Sequence, residues 1–269
     1  MGTRLSGCCR PRPGYGDSRL QQWLCTAVAP SFAGVDSRAE RRPPPTRLIP
    51  DRARMLAMHL DHVSFAAGPD GLDNTAARLA HVLGEEFVDG GVHPRFGTRN
   101  KVLPLTSGQY LEVVEVLDHP ASDKAPFGQA VRSRSEAGGG WLGWVIAVDD
   151  IAAVETRLNR SSVPGNRHRP DGVELRWRQI GVKDLLSDPQ LPFFIQWETS
   201  GDNHPSTQAS GRVTLESLEI AGDSQRVADW IGVSGVDSVQ GITLRWVAPN
   251  GTPGIVAARF STASGPVRV

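Results

Sequence analysis

The sequence predicts an α+β protein built from repeated βαβββ units. Three features of the 269-residue chain indicate this fold: strand-like alternation followed by helical spacing near residue 60, the same succession from residue 142, and a shorter copy from residue 215. A chain of this length suffices for one large domain or two small ones. The repetition therefore predicts two full copies of one unit and a shorter third copy.

The first copy begins with a strand at residues 60–66, where polar and apolar side chains alternate. Apolar residues at helical spacing follow over residues 72–83, and Gly84 is a natural helix stop. Strands are predicted next at residues 98–105 and 110–116, on either side of a Ser-Gly turn. These patterns predict one helix that crosses over a group of neighbouring strands.

The second copy opens with an apolar strand at residues 142–148. The acidic pair 149–150 can cap a helix at residues 151–158, and the Pro-Gly pair at 164–165 breaks that helix. Two strands follow, at residues 173–180 and 193–198. The order of elements therefore repeats that of the first copy.

The two copies can be aligned position by position. In the first copy Glu112 lies 50 residues after His62, and in the second Gln196 lies 52 residues after Trp144. The triplet Tyr-Leu-Glu that ends at Glu112 matches the triplet Phe-Ile-Gln that ends at Gln196. This alignment places Trp144 at the position of His62 and Gln196 at the position of Glu112.

A third, shorter copy follows a polar linker. Residues 215–222 match the first strand nearly position by position, and helical spacing and two further strands follow before residue 260. The predicted domains are therefore residues 58–200, which hold two paired units, and residues 212–260, which hold a partial third unit. We expect the third unit either to cover a sheet edge or to form the interface of a homodimer.

Residues 1–54 differ in composition from the remainder. They hold ten Arg, no Lys, four acidic residues and all three Cys, so their net charge is +6 and that of residues 55–269 is −6. A Pro- and Arg-rich stretch without periodicity cannot bury enough apolar surface to fold, and we expect it to be disordered. Because Met55 and Met58 stand where this composition ends, we hypothesise that the natural start is one of them.

Composition excludes several classes of protein. The zero net charge of the whole chain argues against a nucleic-acid binder with a strongly basic surface, and no apolar run is long enough for a membrane-spanning helix. The region after residue 54 holds no Cys, so thiol nucleophiles and Cys-bound metals are excluded there, and we expect a cytoplasmic protein. No phosphate-binding loop, dinucleotide fingerprint or nucleophile elbow occurs.

Five segments carry a family resemblance: residues 60–63, 90–100, 110–116, 175–178 and 191–197. With them the sequence resembles the vicinal oxygen chelate superfamily, and most of all its glyoxalase-like domain branch. The resemblance covers residues 58–200 well and 212–260 loosely. It implies that two βαβββ units pair and that their sheets curl around a cup.

The resemblance also implies a divalent metal in the cup. Members typically hold it with one residue from the first strand and one from the last strand of each unit, and the ion gathers two neighbouring substrate oxygens as a Lewis acid. The aligned positions here are His62, Glu112, Trp144 and Gln196. Trp144 cannot bind a metal, so the implied ligands are His62, Glu112 and Gln196, and the implied ion is zinc, manganese or iron.

His62 and Glu112 are also the candidate catalytic residues. His62 could act as a metal ligand, as a general base or as a buried hydrogen-bonded side chain. Glu112 lies on an otherwise apolar strand, so a carboxylate there must be paired, coordinated or protonated unless it faces solvent.

Four residues are candidates for substrate binding: Asn100, Trp144, Trp197 and Arg178. Asn100 begins a strand and could donate into the cup, and the two tryptophans could form apolar walls. Arg178 could clamp an anionic substrate, although it could equally form surface charge pairs. His93 is the reserve histidine should a metal require one.

Two functions follow from these observations. The first is an enzyme, a lyase, isomerase or dioxygenase acting on a small oxygen-rich molecule. The alternative is a metal-free protein of the same fold that binds or sequesters a small molecule. A regulatory partner with a vestigial pocket is a third possibility. In every case the expected partner is a small-molecule ligand, with no nucleic acid and no membrane.

Overall fold

The computed structural model describes residues 58–209 and 211–269. The predicted disordered tail of residues 1–54, with the hypothesis that translation starts after it, lies outside the described residues. Within them, no helix is both long enough and apolar enough to cross a membrane.

Eight strands form a sheet that closes on itself. They are β1 (Met58–Ala66), β2 (Val88–His93), β3 (Thr98–Pro104), β4 (Tyr110–Val116), β5 (Gly140–Val148), β6 (Val163–His168), β7 (Glu174–Ile180) and β8 (Phe193–Trp197). Four helices accompany them: α1 (Leu72–Leu83), α2 (Pro120–Lys124), α3 (Pro126–Glu136) and α4 (Ile151–Leu158). The strand order is β1-β4-β3-β2-β6-β7-β8-β5, and antiparallel pairing of β1 with β5 closes the sheet. The predicted α+β fold of paired βαβββ units around a cup is therefore confirmed.

The local signals in the sequence position the helices. α1 ends at Gly84, which adopts the left-handed conformation that glycine favours at a helix end. α4 begins after Asp150, whose side chain accepts a hydrogen bond from the backbone N–H of Ala152 at 2.9 Å. The patterns missed β2 and β6, because glycine and proline interrupt the alternation of both strands.

A second sheet packs on the outer face of the closed one. Its elements are β9 (Thr214–Ala221), α5 (Ser224–Ile231), β10 (Ser238–Val239), β11 (Ile242–Val247), β12 (Gly254–Thr262) and β13 (Gly265–Arg268). The order is β10-β11-β9-β12-β13. Trp144 and Ile146 of β5 share one buried apolar core with Leu218 and Ile220 of β9. The third unit therefore covers a face of the closed sheet rather than an edge, and the homodimer stays a prediction.

Two segments close off the interior of the closed sheet. Helix α3 lies towards the end of β1, where the Ser135 hydroxyl donates to the carbonyl of Ala67 at 2.5 Å. Residues 199–207, here called the capping segment, lie beside the start of β1 and line a surface cleft of about 550 Å³ together with His59. The space between α3 and the capping segment holds the candidate site.

Candidate active site

A small cavity of about 30 Å³ occupies the interior of the closed sheet. This volume has room for about two water molecules. Its lining combines apolar aromatic side chains with four ionisable groups, His62, His93, Glu112 and Arg167. The remaining lining residues are Phe96, Tyr110, Phe127, Trp177, Gln179, Phe193, Ile195 and Trp197.

The pairing of β1 with β4 brings the two predicted catalytic residues together. In this parallel pair His62 lies opposite Tyr110, and Ser64 lies opposite Glu112. Alternation sends all four side chains into the interior, where they are buried. The prediction that His62 and Glu112 share one cavity agrees with this placement.

The corresponding pairing in the second unit corrects the predicted alignment by one residue. In the parallel pair of β5 and β8, Val145 lies opposite Phe193 and Ala147 lies opposite Ile195. Val145 therefore corresponds to His62, and Ile195 corresponds to Glu112. A shift of one residue moves a strand's side chains to the other face, so Trp144 and Gln196 point away from the cavity.

Trp144 and Gln196 have structural partners outside the cavity. The Trp144 indole is fully buried in the outer core and donates to the carbonyl of Gln190 at 2.9 Å. The Gln196 amide donates to the carbonyl of Asp149 at 2.6 Å and accepts from the Ile151 backbone N–H at 3.1 Å, at the start of α4. The expectations of an apolar wall at Trp144 and a ligand at Gln196 are therefore corrected.

The other predicted substrate-binding residues divide between the cavity and the surface. Trp197 lines the cavity. Asn100 lies behind it and donates to Glu112 at 2.7 Å. Arg178 lies outside, where it donates to the hydroxyl and the carbonyl of Ser162 at 2.8 and 3.1 Å. The surface alternative for Arg178 is therefore the one observed.

His62 is oriented by its sequence neighbour. The Nδ1 atom of His62 lies 2.6 Å from Oδ2 of Asp61, which is fully buried. Adjacent residues of a regular strand face opposite sides, but a register shift in the pairing of β1 with β5 between Leu60 and His62 lets both side chains be buried. Tyr110 stacks on the other side of the imidazole, with ring centroids 4.4 Å apart.

Asp61 gathers three hydrogen-bond donors. Besides His62, its Oδ1 accepts from the Trp197 indole at 2.8 Å and lies 3.0 Å from Nε2 of His204 in the capping segment. Burial acts to raise the pKa of Asp61, but the hydrogen bonds from His204 and His62 outweigh it and hold that pKa well below its usual range. Because an ionised carboxylate only accepts, Nδ1 of His62 carries the proton that it shares with Asp61.

Glu112 lies between two histidines. Its Oε2 accepts from the Ser64 hydroxyl at 2.6 Å and lies 3.9 Å from Nε2 of His62. Its Oε1 accepts from the Asn100 amide at 2.7 Å and lies 3.9 Å from Nε2 of His93. Burial acts to raise the pKa of Glu112, but the two histidines and the two hydrogen bonds outweigh it and lower the pKa. Glu112 is therefore ionised at neutral pH.

His93 is a buried neutral side chain. Its Nδ1 lies 2.9 Å from the hydroxyl of Thr98. Burial lowers the pKa of His93 to about 4, and the attraction of Glu112 offsets only part of this effect. At neutral pH the cavity therefore holds one carboxylate, Glu112, beside an uncharged imidazole.

The structure does not supply the donor set that the resemblance implies for a metal. The positions that correspond to His62 and Glu112 in the second unit are Val145 and Ile195, which have no ligating atoms. Among residues 58–209 and 211–269, no group of three His, Cys, Asp or Glu side chains could hold a metal ion. His62 and Glu112 are therefore the two residues of the implied ligand set that line the cavity.

Sequence patterns missed Asp61, Arg167 and His204 as site residues. The Asp-His dipeptide was visible, but strand alternation places its two side chains on opposite faces. His204 comes from the predicted linker, and Arg167 lies on a strand that the Pro-Gly pair concealed. The adjacency of an acid to a histidine was the one signal that could have identified Asp61.

Gly90 leaves space for the side chains behind Glu112. A Cβ atom at this position would lie 2.1 Å from Oδ1 of Asn100 and 3.2 Å from Nη1 of Arg167. We expect Gly90→Ala to displace Asn100, to break its hydrogen bond to Glu112 and to lower the free energy of unfolding by about 1–3 kcal/mol, measured in urea. Gly235→Ala, where a Cβ meets no atom within 4 Å, is the control. Equal stability of the two variants would contradict this account.

The fold and the buried pair of His62 and Glu112 define a class of protein, the paired βαβββ proteins with a site inside the cup. A family model for the glyoxalase-like domain matches residues 60–233. The chain belongs to the glyoxalase-like domain family, within the vicinal oxygen chelate superfamily, as the sequence resemblance predicted. No curated protein matches the sequence significantly.

Solved structures are similar to this chain at low sequence identity. A hypothetical protein from Staphylococcus aureus is 16% identical, with a TM-score of 0.57 over 77% of this chain and 92% of its own. Methylmalonyl-CoA epimerase from Mycobacterium tuberculosis is 19% identical, with a TM-score of 0.37 over 53% of this chain and 88% of its own. A Streptomyces coelicolor methylmalonyl-CoA epimerase in complex with 2-nitronate-propionyl-CoA is 17% identical, with a TM-score of 0.38 over 52% of this chain and 98% of its own.

Proposed function

We propose that the cavity binds a small oxygen-rich molecule and that His62 removes a proton from a carbon next to its carbonyl group, as in an isomerase or a lyase. The observation that carries this proposal is the arrangement of Asp61, His62 and Glu112. A buried carboxylate holds Nδ1 of His62 at 2.6 Å, and Nε2 faces the carboxylate of Glu112 across 3.9 Å.

The protonation states suit this role. The hydrogen bond to Asp61 keeps a proton on Nδ1, and in that tautomer the imidazole presents the lone pair of Nε2 to the cavity. The 3.9 Å separation from Glu112 is too long for a direct hydrogen bond, so Nε2 stays available to a group bound in the cavity. Ionised Asp61 stabilises the imidazolium that forms when Nε2 takes the proton. A positioned general base contributes typically about 10²–10⁴-fold to a rate.

The experiment measures solvent exchange. The full chain is incubated in D₂O with a panel of small 2-oxo and 2-hydroxy acids, and deuterium at the carbon next to the carbonyl or carboxyl group is followed by proton NMR. We expect exchange with at least one compound, and we expect His62→Gln to slow it by about 10²-fold or more. His81→Gln is the matched control, because His81 lies exposed on α1. Exchange that survives in His62→Gln would overturn the proposal.

The binding alternative also has support in the structure. Besides the histidines, six aromatic side chains line the cavity: Phe96, Tyr110, Phe127, Trp177, Phe193 and Trp197. Such a lining suits an apolar or aromatic ligand. Saturable binding of panel compounds with no exchange in any of them would favour this function over the enzyme.

A further inference from the structure

Arg167 is a buried cation that the acid–base pair does not use. It lies on β6 with 3% of its surface exposed, and it lines both the cavity and a cleft beside the capping segment. Its Nε is buried and has no hydrogen-bond partner among residues 58–209 and 211–269. A guanidinium stays charged in proteins, and a buried donor without an acceptor costs free energy.

The two buried carboxylates near Arg167 are already satisfied by other donors. Asp61 accepts from three side chains, and each oxygen of Glu112 accepts one hydrogen bond. Both carboxylates attract the Arg167 guanidinium electrostatically, yet neither accepts a hydrogen bond from its Nε. Arg167 therefore brings to the cavity a positive group whose Nε has no acceptor among the described residues.

We propose that Arg167 binds the carboxylate of the ligand, so that the cavity takes small carboxylic acids. The proposal deepens the proposed function, since it names the ligand class of the same site. The planar fork of a guanidinium matches two carboxylate oxygens. A cavity of about 30 Å³ admits a group of formate size, whereas a tetrahedral phosphate is larger.

A carboxylate bound to Arg167 would also affect the negative charge that develops when His62 removes a proton. A carboxylate paired with Arg167 repels the negative charge that develops on the neighbouring carbon less than a free carboxylate does, and the same cation stabilises the carbanion formed there. His62 and Arg167 both line the cavity, so one small molecule can meet both groups. The ligand then contributes the acceptor that the guanidinium lacks.

The test uses formate as the probe and the full chain as the protein. Binding is followed by tryptophan fluorescence, because Trp177 and Trp197 line the cavity. We expect saturable formate binding, and binding at least 10-fold weaker for neutral formamide and for inorganic phosphate. Formamide or phosphate that binds as tightly as formate would overturn the assignment, and so would the absence of saturable formate binding.

Two arginine variants test whether Arg167 is the side chain that binds formate. We expect Arg167→Met to weaken formate binding by about 10- to 100-fold, since charge-assisted hydrogen bonds are lost. Arg176→Met is the control, because Arg176 is exposed and pairs with Glu174. A folded Arg167→Met that binds formate normally would contradict the proposal. If this variant does not fold, the comparison of formate with formamide on the unaltered protein decides whether the cavity binds carboxylates.

A further variant separates this inference from the proposed function. His62→Gln should bind formate within about 3-fold of the unaltered protein, because it keeps Arg167 and the cavity. Exchange that survives in His62→Gln, together with formate binding that Arg167→Met weakens, would therefore count against the general base alone. Exchange that persists while formate binding is insensitive to Arg167→Met would count against the carboxylate site alone.

Discussion

Asp61→Asn is expected to move the proton of His62 from Nδ1 to Nε2 and to slow exchange chemistry by on the order of 10³–10⁴-fold. The amide has nearly the shape of the carboxylate, so Trp197 and His204 can keep the acceptor that lies 2.8 and 3.0 Å from them. The NH₂ group of the new amide then faces Nδ1 of His62, which must accept a hydrogen bond from it. Nε2 consequently carries the proton and cannot act as a base.

The imidazole ¹⁵N chemical shifts of His62 report this change without any substrate. In the unaltered protein the shifts should show a protonated Nδ1, and in Asp61→Asn a protonated Nε2. Asp118→Asn is the control, because Asp118 is exposed. Retention of the proton on Nδ1 in Asp61→Asn would contradict the orienting role of Asp61. Asp61→Ala should instead destabilise the fold by about 3–5 kcal/mol, because it takes the shared acceptor away from His62, Trp197 and His204.

Acid destabilisation through His93 is the second large effect that we expect. The pKa of His93 is about 4 in the folded protein, against an ordinary value of 6.5. Between these values the unfolded chain takes up a proton that the folded protein does not bind. Stability is therefore lost as the pH falls from about 6.5 to about 4, and this residue's share approaches about 3 kcal/mol.

His93→Gln isolates this contribution. Gln can keep a hydrogen bond to Thr98 and has no titratable group. The free energy of unfolding of His93→Gln should therefore fall less steeply with decreasing pH than that of the unaltered protein. Urea unfolding at a series of pH values from 7 to 4.5 measures the difference, with His81→Gln as a control on the exposed face of α1. Parallel pH profiles for His93→Gln and the unaltered protein would show that His93 is not held neutral.

The residues of the first unit were predictable because they obey local rules. Alternation along β1 and β4 sets which side chains face inward, and the helix stop at Gly84 acts within a few residues. His62 and Glu112 were therefore found together. In the second unit the same reasoning placed Trp144 and Gln196 in the cup, whereas strand pairing places their neighbours Val145 and Ile195 there.

The sequence by itself determined the βαβββ repetition, the family and the shared cavity of His62 and Glu112, since these depend on the periodicity of contiguous residues. Only the tertiary structure decided the rest. Strand register, the irregularity at Asp61 and the approach of His204 depend on pairing between distant segments, and a one-residue difference there exchanges interior for exterior. Arg167 reaches the cavity for the same reason, because closure of the sheet through β2 and β6 turns its side chain inward.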